Sequence, residues 1–219
     1  EKPALSKVSF TVKKGEKIGI IGESGSGKTT LMNILLRFLR EDEGGIYVDG
    51  KKIEYEDIAS WRAKVGYVQQ QVFLIDDTLK QNVAFGEDPH EVNEERLKMA
   101  LEQASLKEFV QSLPQGWDTQ VGEMGARLSG GQRQRLGIAR ALYYQSNVLI
   151  FDEATSALDT DTENMITESI QALQRDKTVF VIAHRLTTLR NCDRILELKD
   201  GKLMHEWTYA ELVQEKMLK

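Results

Sequence analysis

The residues best able to do chemistry lie in two short stretches. The first reads Gly22-Glu23-Ser24-Gly25-Ser26-Gly27-Lys28-Thr29, with Thr30 following, and matches G-x-x-x-x-G-K-[ST] without a gap. Its glycines let consecutive backbone N–H groups turn inward around an anion, and a helix opening at Lys28 adds its partial positive charge. Lys28 is a point charge for the β- and γ-phosphates of a nucleotide, and the Thr29 hydroxyl is a ligand for Mg²⁺. The second stretch, Val148-Leu149-Ile150-Phe151-Asp152-Glu153, puts two carboxylates at the end of an apolar run. Asp152 can hold Mg²⁺ through the water shell that this ion largely keeps. Glu153, one residue on, can reach an attacking water as general base or as the group that orients it. A glycine-rich turn with an incidental lysine, or two acids capping a strand, would each be ordinary alone. Together they point to binding and hydrolysis of ATP with Mg²⁺.

These stretches need elements to hold them. Val8, Phe10 and Val12 alternate with polar residues, the pattern of a half-buried strand. Residues 17–21 form an apolar run that reads as a buried parallel strand leading into the glycine-rich turn. A helix over 28–39 follows, then a strand at 46–48 running into the Asp49-Gly50 turn. Over 93–113 apolar residues recur at spacings of three and four, as on an amphipathic helix, and a second helix is expected over 131–144. The remainder alternates: strand 148–151, helix 160–173, strand 178–182, short helix 186–190, strand 194–198, a turn, strand 203–206 and helix 209–216. Strands alternating with helices imply a mostly parallel sheet with ligand sites at its carboxyl edge. The core is expected over residues 1–75 and 145–219, with an inserted helical lobe at 76–144.

Composition narrows the classes. The 219 residues suffice for one sizeable core, and the apolar (41%) and charged (29%) fractions are those of an ordinary globular domain. A net charge of −5 with scattered lysines and arginines leaves no nucleic-acid footprint. The single cysteine, Cys192, excludes an internal disulfide framework. No apolar run reaches the roughly 18 residues a membrane-spanning helix needs. The abrupt opening at Glu1 reads as part of a longer chain.

Leu128-Ser129-Gly130-Gly131-Gln132, placed before a helix and ahead of Val148, is similar to the signature motif of ATP-binding-cassette (ABC) proteins. A Ser-Gly-Gly helix N-terminus is a second anion site by the physics of the first. The resemblance runs over essentially the whole chain. It implies a RecA-like P-loop NTPase core, α/β with a mostly parallel sheet, an N-terminal antiparallel β part and an inserted α-helical subdomain. It also implies that Ser129, Gly130, Gly131 and Gln132 serve the nucleotide of a second cassette, so that two domains sandwich two ATPs head to tail; the full set of catalytic residues favours a homodimer over a heterodimer. Gln70 resembles the glutamine that touches Mg²⁺ and the attacking water, although three consecutive glutamines leave the register open by one. Asp159, in Ser156-Ala157-Leu158-Asp159, resembles the loop crossing to the partner domain, and it also reads as an N-cap. His184, in Ala183-His184-Arg185, resembles the switch histidine at the γ-phosphate.

Two segments resemble the exporter branch. Thr119-Gln120-Val121-Gly122-Glu123-Met124-Gly125 is similar to a T-x-V-G-E-x-G segment that faces the coupling helices of the membrane domain, and residues 77–86 follow the exporter pattern after the glutamine loop. The aromatic residue that stacks on adenine in the family precedes the first strand; it is missing or lies upstream of Glu1, which predicts weakened ATP affinity for residues 1–219 alone, such stacking being typically worth about 1–3 kcal/mol. The exporter reading places the domain at the cytoplasmic face of the inner or plasma membrane. Two other readings compete with it. A soluble ABC ATPase acting on nucleic acid or ribosomes would carry two cassettes or a long coiled coil, and neither is present. A degenerate cassette would lack some of Lys28, Asp152, Glu153 and His184, and all four are here.

Overall fold

A computed structural model of the chain describes residues 3–152, 167, 170, 177–183 and 185–217. Its centre is a six-stranded sheet in the order β4-β5-β6-β1-β7-β8. The strands are β1 (Lys17–Ile21), β4 (Val65–Val68), β5 (Val148–Asp152), β6 (Thr178–Ile182), β7 (Arg194–Lys199) and β8 (Lys202–Trp207). All pairings are parallel except β7 with β8. β1 is buried along its whole length because it lies between β6 and β7 with both faces covered. That burial explains the unbroken apolar run read from the sequence.

The period-2 alternation of the strands divides the core in two. Ile18, Ile20, Ile150, Phe180, Ile182 and Leu196 pack with Leu31, Met32 and Leu36 from the segment of helix α1 (Lys28–Leu35). Leu149, Phe151, Val179, Val181 and Ile195 face the other way, into the cluster that holds Leu136, Ile138 and Tyr143 of helix α6 (Gly130–Tyr143). α6 comes close to the sheet at Gly66 of β4, where an added Cβ would lie 2.8 Å from Ala141 Cβ.

Helices α2 (Ile58–Arg62), α3 (Leu79–Val83), α4 (Glu94–Gln103) and α5 (Lys107–Ser112) come before α6, and α7 (Tyr209–Met217) ends the described chain. Between β4 and β5 the chain runs through α3–α6 with no strand, and α6 packs on α3, α4 and β4. No helix among the described residues is long and apolar enough to cross a membrane.

The structure corrects three expectations. Residues 8–12 form no ladder, although Val8, Phe10 and Val12 alternate inward as expected. Within this stretch the Thr11 carbonyl accepts from Arg194, and just beyond it the Lys13 N–H donates to Glu16. The separate antiparallel sheet therefore consists of β2 (Tyr47–Val48) and β3 (Lys51–Lys52). The helix expected over 28–39 stops at Leu35, because Arg37 adopts φ 59° and the Phe38 N–H returns to the Asn33 carbonyl, a Schellman stop. The same device at Ser105 (φ 55°), with the Leu106 N–H on the Leu101 carbonyl, splits the helix expected over 93–113 into α4 and α5. The helix expected over 160–173 lies outside the described residues apart from 167 and 170.

Candidate functional site

The glycine-rich loop leaves the carboxyl end of β1 and enters α1, as its sequence requires. Two of its glycines are fixed by contact. A Cβ on Gly22 would sit 2.3 Å from the Leu198 carbonyl oxygen and 2.4 Å from Ser26 Oγ. Gly27 is the N-cap of α1 at φ 104°, and a Cβ there would meet Leu5 Cδ2 at 2.6 Å. At Gly22 a side chain would have to displace backbone, and at Gly27 the left-handed φ strains any L residue. The loop is supported from below by the β7–β8 turn, whose Gly201 N–H donates to the Ser26 carbonyl at 3.1 Å.

Inside this frame the groups suited to an anion are held ready. No side chain caps α1 at Gly27, so the N–H groups of its first turn, Lys28 to Thr30, have no partner within the helix. Ser26 Oγ is buried without a hydrogen-bond partner. The buried Lys28 ammonium donates to the carbonyls of Gly22 (2.6 Å) and Glu23 (3.0 Å). Uncapped amides, an orphaned hydroxyl and a lysine folded onto its own loop fit a phosphate chain. Glu23, Ser24, Gly25 and Thr29 are exposed around the loop.

Asp152 ends β5. One strand, β6, separates β5 from β1, and the register sets Asp152 level with Ile20, about 10 Å away at two strand spacings and two residues before Gly22. Tyr67 of β4 donates from its hydroxyl to Asp152 Oδ2 at 2.9 Å. Burial, then the neighbouring Asp152 carboxylate, pushes the Tyr67 phenol above the usual tyrosine range, and the hydroxyl stays a donor. Gln69, Gln70 and Gln71 follow β4 and are exposed, so Gln70 lies on the same carboxyl edge, next to β5. The loop, Asp152 and Gln70 are thus gathered on one edge. Glu153, Asp159 and His184 lie outside the described residues.

The signature segment is placed differently. Ser129 is the N-cap of α6 in a reciprocal capping box: its hydroxyl accepts from the Gln132 N–H (3.2 Å), and its own N–H donates to Gln132 Oε1 (2.8 Å). Arg133 holds the preceding turn by donating to the Leu128 carbonyl at 2.6 Å. α6 runs alongside β4, which is three strand spacings, about 14 Å, from β1 across the sheet. Gly130 and Gly131 therefore stand at the N-terminus of a helix packed on β4, three strand positions from the strand that leads into their own chain's phosphate loop.

Several ties were missed by motif reading. Gln134 is buried on α6 and donates from Nε2 to the Gln69 carbonyl at 3.0 Å, joining the signature helix to the glutamine turn. Arg140 donates to the carbonyls of Asn82 (2.9 Å) and Phe73 (3.0 Å). Asn82, fully buried, bonds Ile75 through both its N–H and its carbonyl, and also the Thr78 carbonyl. The usable signal was a polar side chain on an apolar stripe: Gln134 falls in register with Gly131, Ile138 and Ala141, and Asn82 sits beside Leu79 and Val83. Trp61 donates to the Leu35 carbonyl and, with Arg62 on the Leu36 and Arg37 carbonyls, caps the end of α1.

A glycine loop between the central strand and a helix, with an acidic strand two places away, defines a P-loop ATPase cassette. A family model described as ABC transporter matches residues 5–156, and the chain belongs to that family as an ATP-binding, ATPase domain. It is 46% identical over 98% of its length to an ATP-dependent lipid A-core flippase of Burkholderia orbicola and 44% identical over 98% to that of Vibrio cholerae. It covers 36% and 37% of those two proteins. Among solved structures it is similar to a bacterial Atm1-family ABC exporter with ATP bound, with a TM-score of 0.86, 40% identity, and coverage of 97% of this chain and 37% of that one.

Proposed function

We propose that the domain powers export across a membrane by closing on ATP as a head-to-tail pair of identical cassettes. The observation behind this reading is the separation of two anion sites on one chain. The loop at residues 22–29 is built for phosphates at the centre of the sheet, whereas Ser129–Gln132 offers a second helix N-terminus at its far edge. A second copy turned head to tail would bring its signature helix to this chain's nucleotide and receive the same in return. ATP then bridges the two copies, and its hydrolysis removes the γ-phosphate that holds them together, a population shift driven by contacts made only in the closed state.

Mg²⁺ belongs to this reading. Thr29 and Asp152 are hard oxygen donors at the edge where the phosphates would lie, and Gln70 is the third candidate. When bound, the ion would neutralise the developing phosphate charge. Lys28 and the α1 amides would orient the γ-phosphate, Glu153 would orient or deprotonate the attacking water, and His184 would contact the γ-phosphate. Asp159 would reach the partner cassette.

An apolar patch supports docking to a membrane domain. Phe73, Phe85 and Tyr144 are 56%, 43% and 41% exposed. Arg140 packs 5.0 Å over the Phe85 ring, and the Tyr144 hydroxyl donates to the Phe85 carbonyl. Coupling helices of a membrane domain would seat there and at the Glu123 turn, on the cytoplasmic face. The flippase relatives make a lipid the first substrate class to test, and nucleic acid is not a partner in this reading. The test is Glu153→Gln. ATP still binds and dimers accumulate in gel filtration, while phosphate release falls about 10²–10⁴-fold. Undiminished release would remove Glu153 from the mechanism, and a monomer at saturating ATP would remove the dimer.

A further inference from the structure

We propose that Tyr67 is a positioning residue for Asp152, its hydroxyl fixing the rotation of the carboxylate that serves the metal. The inference rests on the reading of Asp152 as the Mg²⁺ residue. Its basis is the parallel register of β4 and β5, in which Tyr67 lies opposite Ile150, two residues before Asp152. Alternation puts Tyr67, Ile150 and Asp152 on the face that carries α1, the helix that opens at the phosphate loop. From there the Tyr67 hydroxyl reaches Asp152 Oδ2 at 2.9 Å.

A bond of this kind has a definite consequence. The terminal torsion of an aspartate is broad and roughly two-fold, so an unrestrained carboxylate spreads its oxygens over a wide arc. Mg²⁺ tolerates little of that, because it demands near-ideal octahedral geometry and passes the demand to whatever holds its waters. Pinning Oδ2 fixes Oδ1 as well, since the group is planar. Tyr67 can serve as the anchor because it stands on a strand rather than a loop, with its ring packed on the cluster formed by β1, β5, β6 and α1. Outer partners of metal-ligating groups typically change metal affinity 10–100-fold. Asp152 acts through the ion's waters, so the lower end, about tenfold, applies.

The experiment uses Mn²⁺ as the probe. Its binding to the ADP-loaded chain is read from the loss of the free-ion paramagnetic resonance signal, for the unaltered protein, Tyr67→Phe and Asp152→Asn, with a thermal midpoint for each. Tyr67→Phe removes only the hydroxyl and keeps the ring in the core. The expected result is a Mn²⁺ dissociation constant raised about tenfold by Tyr67→Phe and at least as much by Asp152→Asn. A Tyr67→Phe protein that melts earlier but binds Mn²⁺ unchanged, beside an impaired Asp152→Asn, overturns the positioning role and leaves the reading of Asp152 intact. If Asp152→Asn also binds Mn²⁺ unchanged, the reading of Asp152 falls and the inference falls with it.

Discussion

Replacing Gln134 by methionine tests whether the signature helix and the glutamine turn move as one piece. The side chain is buried, with 4% of the residue exposed, and its Nε2 donates to the Gln69 carbonyl at 3.0 Å. Methionine has similar length and flexibility, so it fills the space and removes the donor. A neutral intramolecular hydrogen bond contributes about 0.5–1.5 kcal/mol net. For a domain of this size that is a fall in thermal midpoint of roughly 1–6 °C.

The effect on turnover follows from the same quantity. If the bond holds the turn that carries Gln70, its loss lowers the population of the competent arrangement by that free energy, a fall in kcat of about two- to tenfold. The phosphate loop is on another strand, so ATP affinity of the isolated chain should be unchanged. The assays are phosphate release at saturating ATP, equilibrium nucleotide binding and thermal melting on the same preparation. A midpoint lowered within the stated range with unaltered kcat would refute the link, leaving Gln134 a packing residue with one satisfied amide.

The other predictions concern a helix cap and an ion pair. Ser129→Ala removes half of the capping box on α6 and should cost about 0.5–2 kcal/mol; the monomer should bind ATP normally while the dimer loses turnover, and reduced monomer affinity would contradict the placement of this site on a partner's nucleotide. Burial raises the pKa of Glu16, but its hydrogen bond and charge pairing with Arg194 and the Lys13 amide outweigh this and hold it below its ordinary value of 4.5. A depressed carboxylate contributes stability above its unfolded pKa that is lost as pH falls through the folded value. The melting difference between the unaltered protein and Glu16→Gln should therefore be widest near neutrality and close below about pH 4; a difference independent of pH would show that the ion pair is not its source.

The sheet was readable because its signals are local. The apolar run at residues 17–21 and its glycines dictate a buried strand meeting a tight turn, and strand 178–182 was read to the residue. Helix stops were harder. Arg37 and Ser105 both end helices in the left-handed region, where sequence habit expects glycine, and their tertiary surroundings set the break. At Arg37 that surrounding is visible: its guanidinium pairs with Glu41 and donates to the Ile53 carbonyl at 2.6 Å. The phosphate loop and Asp152 were legible as motifs. Tyr67, Gln134 and Arg140 were not, because each acts on a residue that is distant in sequence and only the fold makes adjacent.

The distribution of those distant bonds has a physical logic. The interior of the sheet is held by apolar packing, which is strong and non-directional and tolerates small displacements. The carboxyl edge cannot be held that way, because loops there expose polar backbone and must stay in register with a ligand. From that edge into the helical segment the chain repeatedly aims a polar side chain at a backbone carbonyl: Lys28 at Gly22 and Glu23, Gln134 at Gln69, and Arg140 at Phe73 and Asn82. Such bonds are directional, so each fixes a loop at one point at modest cost in ordering. They also differ in permanence. The Lys28 bonds are formed by the very group that a phosphate would recruit, and they use two of its three donors, so nucleotide binding can rearrange them. The Gln134 and Arg140 bonds involve no ligand group and can persist through the cycle. On the proposed reading, nucleotide binding would change the contacts of one loop while the ties to α6 remain, and a change at Gln70 would reach the signature helix through Gln134 without loosening the sheet beneath.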